Sequence, residues 1–210
     1  MMRDEPFLAF SCFLVLLIIL SFMTQIIGFW INIPLVSYAL PIALVPSLYI
    51  TYGYFFPPSY CRVIVGGALA VLLFFCGIAS AHILDFHVDG IAFHQPAAHA
   101  ILQGWNPFRT EAQLIWLNIF AFGAWVMEAS LIWLYGSIES AKALHLWWIF
   151  IAIPVMLAGL RAQLGVLKPY HYILTFLLVL NPIVIAQSTT HLTDALVYME
   201  GITFIGALMM

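Results

Sequence analysis

The stretch Asp85-Phe-His-Val-Asp89-Gly-Ile-Ala-Phe-His94-Gln-Pro-Ala-Ala-His99 gathers two carboxylates and three imidazoles in one short segment, with His82 just upstream. Asp85 and Asp89 are four positions apart, so a helix running through them would set both on one face, about one turn apart. Two carboxylates so placed can divide the work of a general base and a metal or phosphate ligand. They can also simply mark a membrane–water boundary. The surroundings favour chemistry, because the chain is 65% hydrophobic and only 7% charged. A second polar segment, Thr189-Thr-His191-Leu-Thr-Asp194, offers another imidazole and another carboxylate. His94, His191 and Asp194 form a possible metal set if the two segments touch.

The elements that must carry these residues are membrane helices. A mean hydropathy of +1.08 and recurrent apolar runs of about 20 residues point to an all-α polytopic membrane protein. The short alternating segments of a transmembrane β-barrel are absent from the sequence. A net charge of -3 with six Lys and Arg leaves no basic face for nucleic acid. Cys12, Cys61 and Cys76 lie in or beside apolar runs without CxxC spacing, and read as packing residues. The N-terminal run has no small-residue cleavage site, so it is expected to be a retained first span.

About six transmembrane helices are expected. They are drawn over residues 7–29, 35–55, 63–84, 141–160 and 170–187, with a last run from Ala195, and breaks at Asn32 and Pro34 and at Pro57-Pro58-Ser59. The last run is short of the roughly 20 residues a span needs, so the chain is expected to be incomplete at its C-terminus. This divides the chain into an N-terminal transmembrane hairpin, 1–62, and a core, 63–210, whose outer-face loop, 85–140, holds juxtamembrane helices.

Segment 114–135 decides the topology. If it spans, and the N-terminus is cytoplasmic, Arg3, Arg62 and Lys142 lie inside while Arg109, Arg161 and Lys168 lie outside. If it lies along the surface, Arg3, Arg62, Arg161 and Lys168 are inside and only Arg109 and Lys142 outside. The second arrangement fits the positive-inside rule better. Glu128, Asn118 and Gly123 argue against a lipid-embedded span, while Trp116, Trp125, Trp133 and Tyr135 suit an interfacial helix. A surface-lying segment also brings the Asp89 and Asp194 loops to one face. Arg109 and Lys142 then either meet an anionic phosphate or pair with Glu111 and Glu139. Arg161 and Lys168 read as cytoplasmic anchors, and Trp133, Trp147 and Trp148 as an interface belt.

Within the outer loop, Pro96 to Gln103 predicts a short helix, with Pro96 in its first turn and Gly104 as its C-cap. The run Asp89-Gly-x-Ala-Phe-His94-Gln95-Pro96, followed by Gly104-Trp105-Asn106-Pro107-Phe108, resembles the first outer loop of the GT-C superfamily of integral membrane glycosyltransferases. Trp125 to Lys142 is similar to that family's juxtamembrane helix and the start of its next span. Asn181-Pro182 through Asp194 is similar to its second outer-loop carboxylate. The resemblance covers about residues 63–200, and the chain departs from it in carrying three spans before the loop.

The resemblance implies sugar transfer from a polyprenyl-phosphate donor to an acceptor outside the plasma (inner) membrane. Asp89 matches the base, and Asp85 is a second candidate. His94, Gln95, Trp105, Arg109 and Lys142 are expected to bind substrate. Asp194, with His191 or His94, is expected to hold donor phosphate or a divalent metal ion. A second reading makes the chain a non-enzymatic membrane subunit or metal sensor whose His-rich loop binds a transition metal. Haem is disfavoured because only His82 is plausibly inside a span. A transporter is disfavoured by the lack of duplicated halves and paired intramembrane charges.

Overall fold

Apolar runs in lipid must close their backbone hydrogen bonds within helices. The computed structural model, which describes residues 6–54, 60–112, 115–118 and 122–210, is all-α throughout that range. Its helices are α1 (Pro6–Ile31), α2 (Val36–Tyr54), α3 (Tyr60–Ala81), α4 (Gln95–Leu102), α5 (Gly123–Tyr135), α6 (Ala143–Leu164), α7 (Pro169–Val179), α8 (Pro182–Gln187) and α9 (Asp194–Leu208). A π-helical turn, Gly90–His94, leads into α4, and 3-10 turns cover Ile115–Asn118 and Ile138–Lys142. The N-terminal residues 1–5 and the Pro57-Pro58-Ser59 break lie outside the described residues, as do the side chains of Cys61, Arg62 and Trp116.

Three helices among the described residues are long and apolar enough to cross a membrane: Leu8–Ile31, Val36–Gly53 and Ile138–Leu164. They mark the chain as a multi-pass membrane protein, with three such helices and not the six expected. The run over 170–187 is not one span, because Asn181 and Pro182 cut it. The Asn181 side chain accepts from the backbone N–H groups of Ile183 and Val184, both at 3.0 Å, and so caps α8. Pro182 has no N–H with which to continue α7. α9 has 15 residues, a rise of about 22 Å against about 30 Å of hydrocarbon.

α5 is enclosed by the other helices and does not lie on the surface of the bundle. It has 13 residues, buried from Trp125 to Ile132, and it stops at Gly136, whose φ of 75° suits a glycine C-cap. It enters beside Phe22 of α1 and leaves where the Tyr135 hydroxyl donates to the Leu73 carbonyl of α3 at 2.8 Å. Both contacts fall in the halves of α1 and α3 nearer their C-termini, so α5 runs across the bundle beneath the polar segments. Gln25 of α1 donates to Ser130 of α5, and Ser130 in turn to the Val36 carbonyl of α2. α5 is thus fastened to the first hairpin by buried hydrogen bonds.

α9 packs along α6 through two glycines. A Cβ on Gly159 would lie 2.3 Å from the Gly206 carbonyl oxygen, and one on Gly206 would lie 2.9 Å from the Met156 backbone. Close approach through small residues is how helices associate where lipid removes the hydrophobic drive. Gly159→Leu is therefore expected to destabilise the folded chain by about 1–3 kcal/mol, the cost of overpacking. Gly53→Ala, with open space around the added methyl, should be neutral. Thermal melting of both variants in nanodiscs tests the pair, and an unchanged melt for Gly159→Leu would remove the glycine contact from the fold.

Candidate functional site

The chain leaves α3 at Ala81, and Asp85 turns back into the protein, where it is 4% exposed. Its carboxylate accepts the His87 backbone N–H on one oxygen and the His191 backbone N–H on the other, each at 2.8 Å. Its own N–H donates to Glu139 at 3.2 Å. Asp85 thus ties the loop before α4 to the loop before α9. Each of its oxygens takes a charge-assisted bond from backbone, so it acts as a clamp, and its burial leaves the second-base role expected for it little access to an acceptor. Gly90 is required here, since a Cβ would lie 1.9 Å from an Asp85 oxygen.

Below the clamp is a buried cluster of charge. The Lys142 ammonium donates to Glu139 and to the Ile83 carbonyl and has no exposure at all. Lys142 is therefore consumed inside the fold, and the expected surface contact with a phosphate is corrected to a buried ion pair. Gln95 donates to the other Glu139 oxygen at 3.3 Å, which makes Gln95 part of the scaffold. The buried His191 ring stands between two acids, with Nδ1 3.8 Å from Glu128 and Nε2 3.7 Å from Glu139. Among the described residues, neither ring nitrogen of His191 nor either Glu128 oxygen has a hydrogen-bond partner. The ring is thus enclosed between two buried acids.

His94 links this cluster to the surface. The Trp125 indole N–H donates to its Nδ1 at 2.8 Å, with the rings edge to face at 5.8 Å. Burial holds the His94 imidazole below its ordinary 6.5, and the His191 ring acts in the same direction; the acids Glu128, Asp89 and Asp194 pull it back up. His94 therefore senses Asp89 and Asp194 together, and the two loops do share one end of the bundle. Asp89, with its side chain 54% exposed, stands 4.0 Å from the His87 ring. It opens the π-helical turn without capping it, and its backbone N–H donates to the His87 Nδ1 at 3.2 Å. π-Helical turns often occur at functional positions. Asp194 begins α9 and accepts from Gln187 at 3.4 Å.

The metal expectation fits this geometry poorly. His191 is enclosed by Glu128 and Glu139, His94 Nδ1 is taken by Trp125, and Asp194 is turned to Gln187. Among the described residues, no three His, Cys, Asp or Glu side chains are arranged to hold a metal ion. Arg109 lies elsewhere, donating to the Trp30 carbonyl at 2.8 Å beside the α1–α2 turn. Trp105 follows Gly104, whose φ of 99° closes α4. Its indole N–H donates to the Thr110 carbonyl at 2.9 Å.

Sequence reasoning missed Glu128 and Glu139 as members of the site. The signal was present in Glu128, since an ionisable group within an apolar run is a functional candidate by default. A groove of about 630 Å³ also runs between α1, α5, α6 and α9, walled by Ile18, Phe22, Leu144, Trp148 and Leu196, with Glu200 among them. Its loop end is formed by Gly123 and Thr193, the latter next to Asp194. Ile19, Val197 and Phe204 on its walls are well exposed. No family model, no curated protein and no solved structure matches this chain.

Two outcomes are expected at this site. Gly90→Ala should displace the Asp85 carboxylate and loosen both loops, seen as faster amide exchange at His87 and His191 with the distant α6–α9 contact unchanged. Because the fold holds the His94 imidazole below 6.5, the unfolded chain binds the proton more readily. Stability present above pH 6.5 should then decline as pH falls below it. His94→Gln should flatten that part of a stability-versus-pH curve, and an equally steep curve in the variant would clear His94 of the effect.

Proposed function

We propose that this chain is a membrane glycosyltransferase that moves a sugar from a polyprenyl-phosphate donor to a hydroxyl acceptor at the loop end of the bundle. The observation that carries the reading is the apolar groove ending beside Asp194, close to the acid–imidazole group around His94. An isoprenoid tail is apolar and long, and a groove with apolar walls open along one side suits it. In this reading the plasma (inner) membrane holds the chain with its N-terminus cytoplasmic and the loop end outside.

The chemistry then falls to Asp89. Its carboxylate removes the proton from the acceptor hydroxyl. The acceptor oxygen bonds to the anomeric carbon as the bond from that carbon to the phosphate oxygen breaks, and the phosphate leaves with the electron pair. Asp85 and Gln95 hold the loop that carries the base. No step is routed through a metal.

Asp89→Asn removes the base while leaving the Asp85 clamp intact. Transfer of radiolabelled sugar from a polyprenyl-phosphate donor to acceptor should fall by about 100-fold or more, the usual worth of a positioned base. Melting behaviour in nanodiscs should not change. A well-folded Asp89→Asn chain with full transfer activity, or no transfer by the parent chain across a range of polyprenyl-phosphate sugars, would reject the reading.

A further inference from the structure

The cluster between the loops leaves a second region of the loop end unexplained. Two adjacent hollows, each about 460 Å³, meet at Trp105, Glu111 and Leu117. One continues along α4 to Pro96, the other to Arg109 and Phe122. Their walls are held firmly. Asn106, itself buried, donates to the Phe29 carbonyl at 2.8 Å and to Asn32 at 3.2 Å, and accepts from the Phe108 N–H at 3.0 Å. Phe108 packs edge to face with Phe29 at 6.1 Å and with Phe122 at 5.4 Å. Asn118 bonds both the N–H and the carbonyl of Ala112. The Trp105 ring is fixed through its own N–H to Thr110. The hollows are therefore built before any ligand arrives, and little ordering remains to oppose binding.

We propose that this double hollow binds a neutral carbohydrate across Trp105. A fixed, half-buried indole presents the negative face of its ring to the weakly positive C–H face of a sugar. Arg109 and Glu111 line the same hollow, and supply a planar donor and a two-oxygen acceptor for adjacent hydroxyls. One charge of each sign makes the lining neutral, so a phosphate meets Glu111 and a cation meets Arg109. The continuation toward Pro96, next to Gln95 and His94, gives the ligand a direction: along α4 toward the acid–imidazole group. This binding does not depend on the transferase reading.

The test is saturation-transfer NMR on the full chain in nanodiscs free of sugar detergents, with maltose, lactose and chitobiose as neutral probes and glucose 6-phosphate as the anionic one. At least one neutral disaccharide should receive transfer at its ring C–H protons. Its affinity should fall about tenfold in Trp105→Ala, roughly 1.4 kcal/mol, and hold within about threefold in Trp105→Phe, which keeps an aromatic face. Glu111→Gln, a change at an exposed side chain, should weaken binding by a similar factor even if Trp105→Ala fails to fold. No transfer to any neutral probe overturns the proposal, as does preferred binding of glucose 6-phosphate or unchanged affinity in Glu111→Gln. Asp89→Asn should bind the disaccharide as the parent does. Sugar binding in a chain without transferase activity would sink only the earlier reading.

Discussion

One carboxylate receives backbone N–H groups from two loops that lie 106 positions apart in the chain. That convergence on Asp85 is the constraint from which the loop end of this protein is built. A backbone N–H cannot be replaced by a side-chain substitution, so the clamp is set by where the chain runs. It demands a glycine at position 90, because any larger residue would occupy the space of the carboxylate. It also fixes the start of the π-helical turn, and hence where Asp89 and His94 emerge.

The clamp needs support from below. Asp85, Glu128 and Glu139 are three acids in a largely apolar interior, and each buried charge carries a desolvation penalty of roughly several kcal/mol. Lys142 offsets Glu139 directly, and His191 stands between Glu139 and Glu128. Replacing such a cluster by well-packed apolar residues often costs nothing in stability. Its presence in a chain with so few charges therefore points to specification of geometry: it sets which loop meets which, and at what register. His94 sits at the boundary of this cluster, neutral toward Trp125 and within reach of the fields of Asp89 and Asp194.

Much of this was legible from residue order. Proline and glycine marked α4 to within a residue at each end, because N1 proline and C′ glycine act locally. Glu128 already set the segment around it apart from the long apolar helices, and α5 there has 13 residues. What could not be read was the burial of α5, since a helix apolar on all sides is equally suited to an interface and to a protein interior. The enclosure of Asp85 beside an exposed Asp89 was hidden for a similar reason. Both precede a helix, and only the approach of His191 from the far end of the chain decides which is enclosed. Lys142 was split between phosphate and Glu139, and its burial removed the first option. One of the six expected spans failed at Asn181-Pro182, a cap-and-stop pair whose meaning was overridden by the apolar residues on either side.

The clamp also governs the groove. α9 begins at Asp194, three residues after the His191 N–H that Asp85 holds, and Thr193 forms the groove's loop end. The Gly159–Gly206 contact then holds the far part of α9 against α6. A helix whose leading loop is held by a hydrogen bond and whose last turns meet a neighbour's backbone has little freedom to slide. The width of the groove between α1 and α9 follows from those two anchor points. The polar loop end and the apolar groove are consequently joined through one short stretch of chain, from the His191 N–H held by Asp85 to Thr193 at the mouth of the groove.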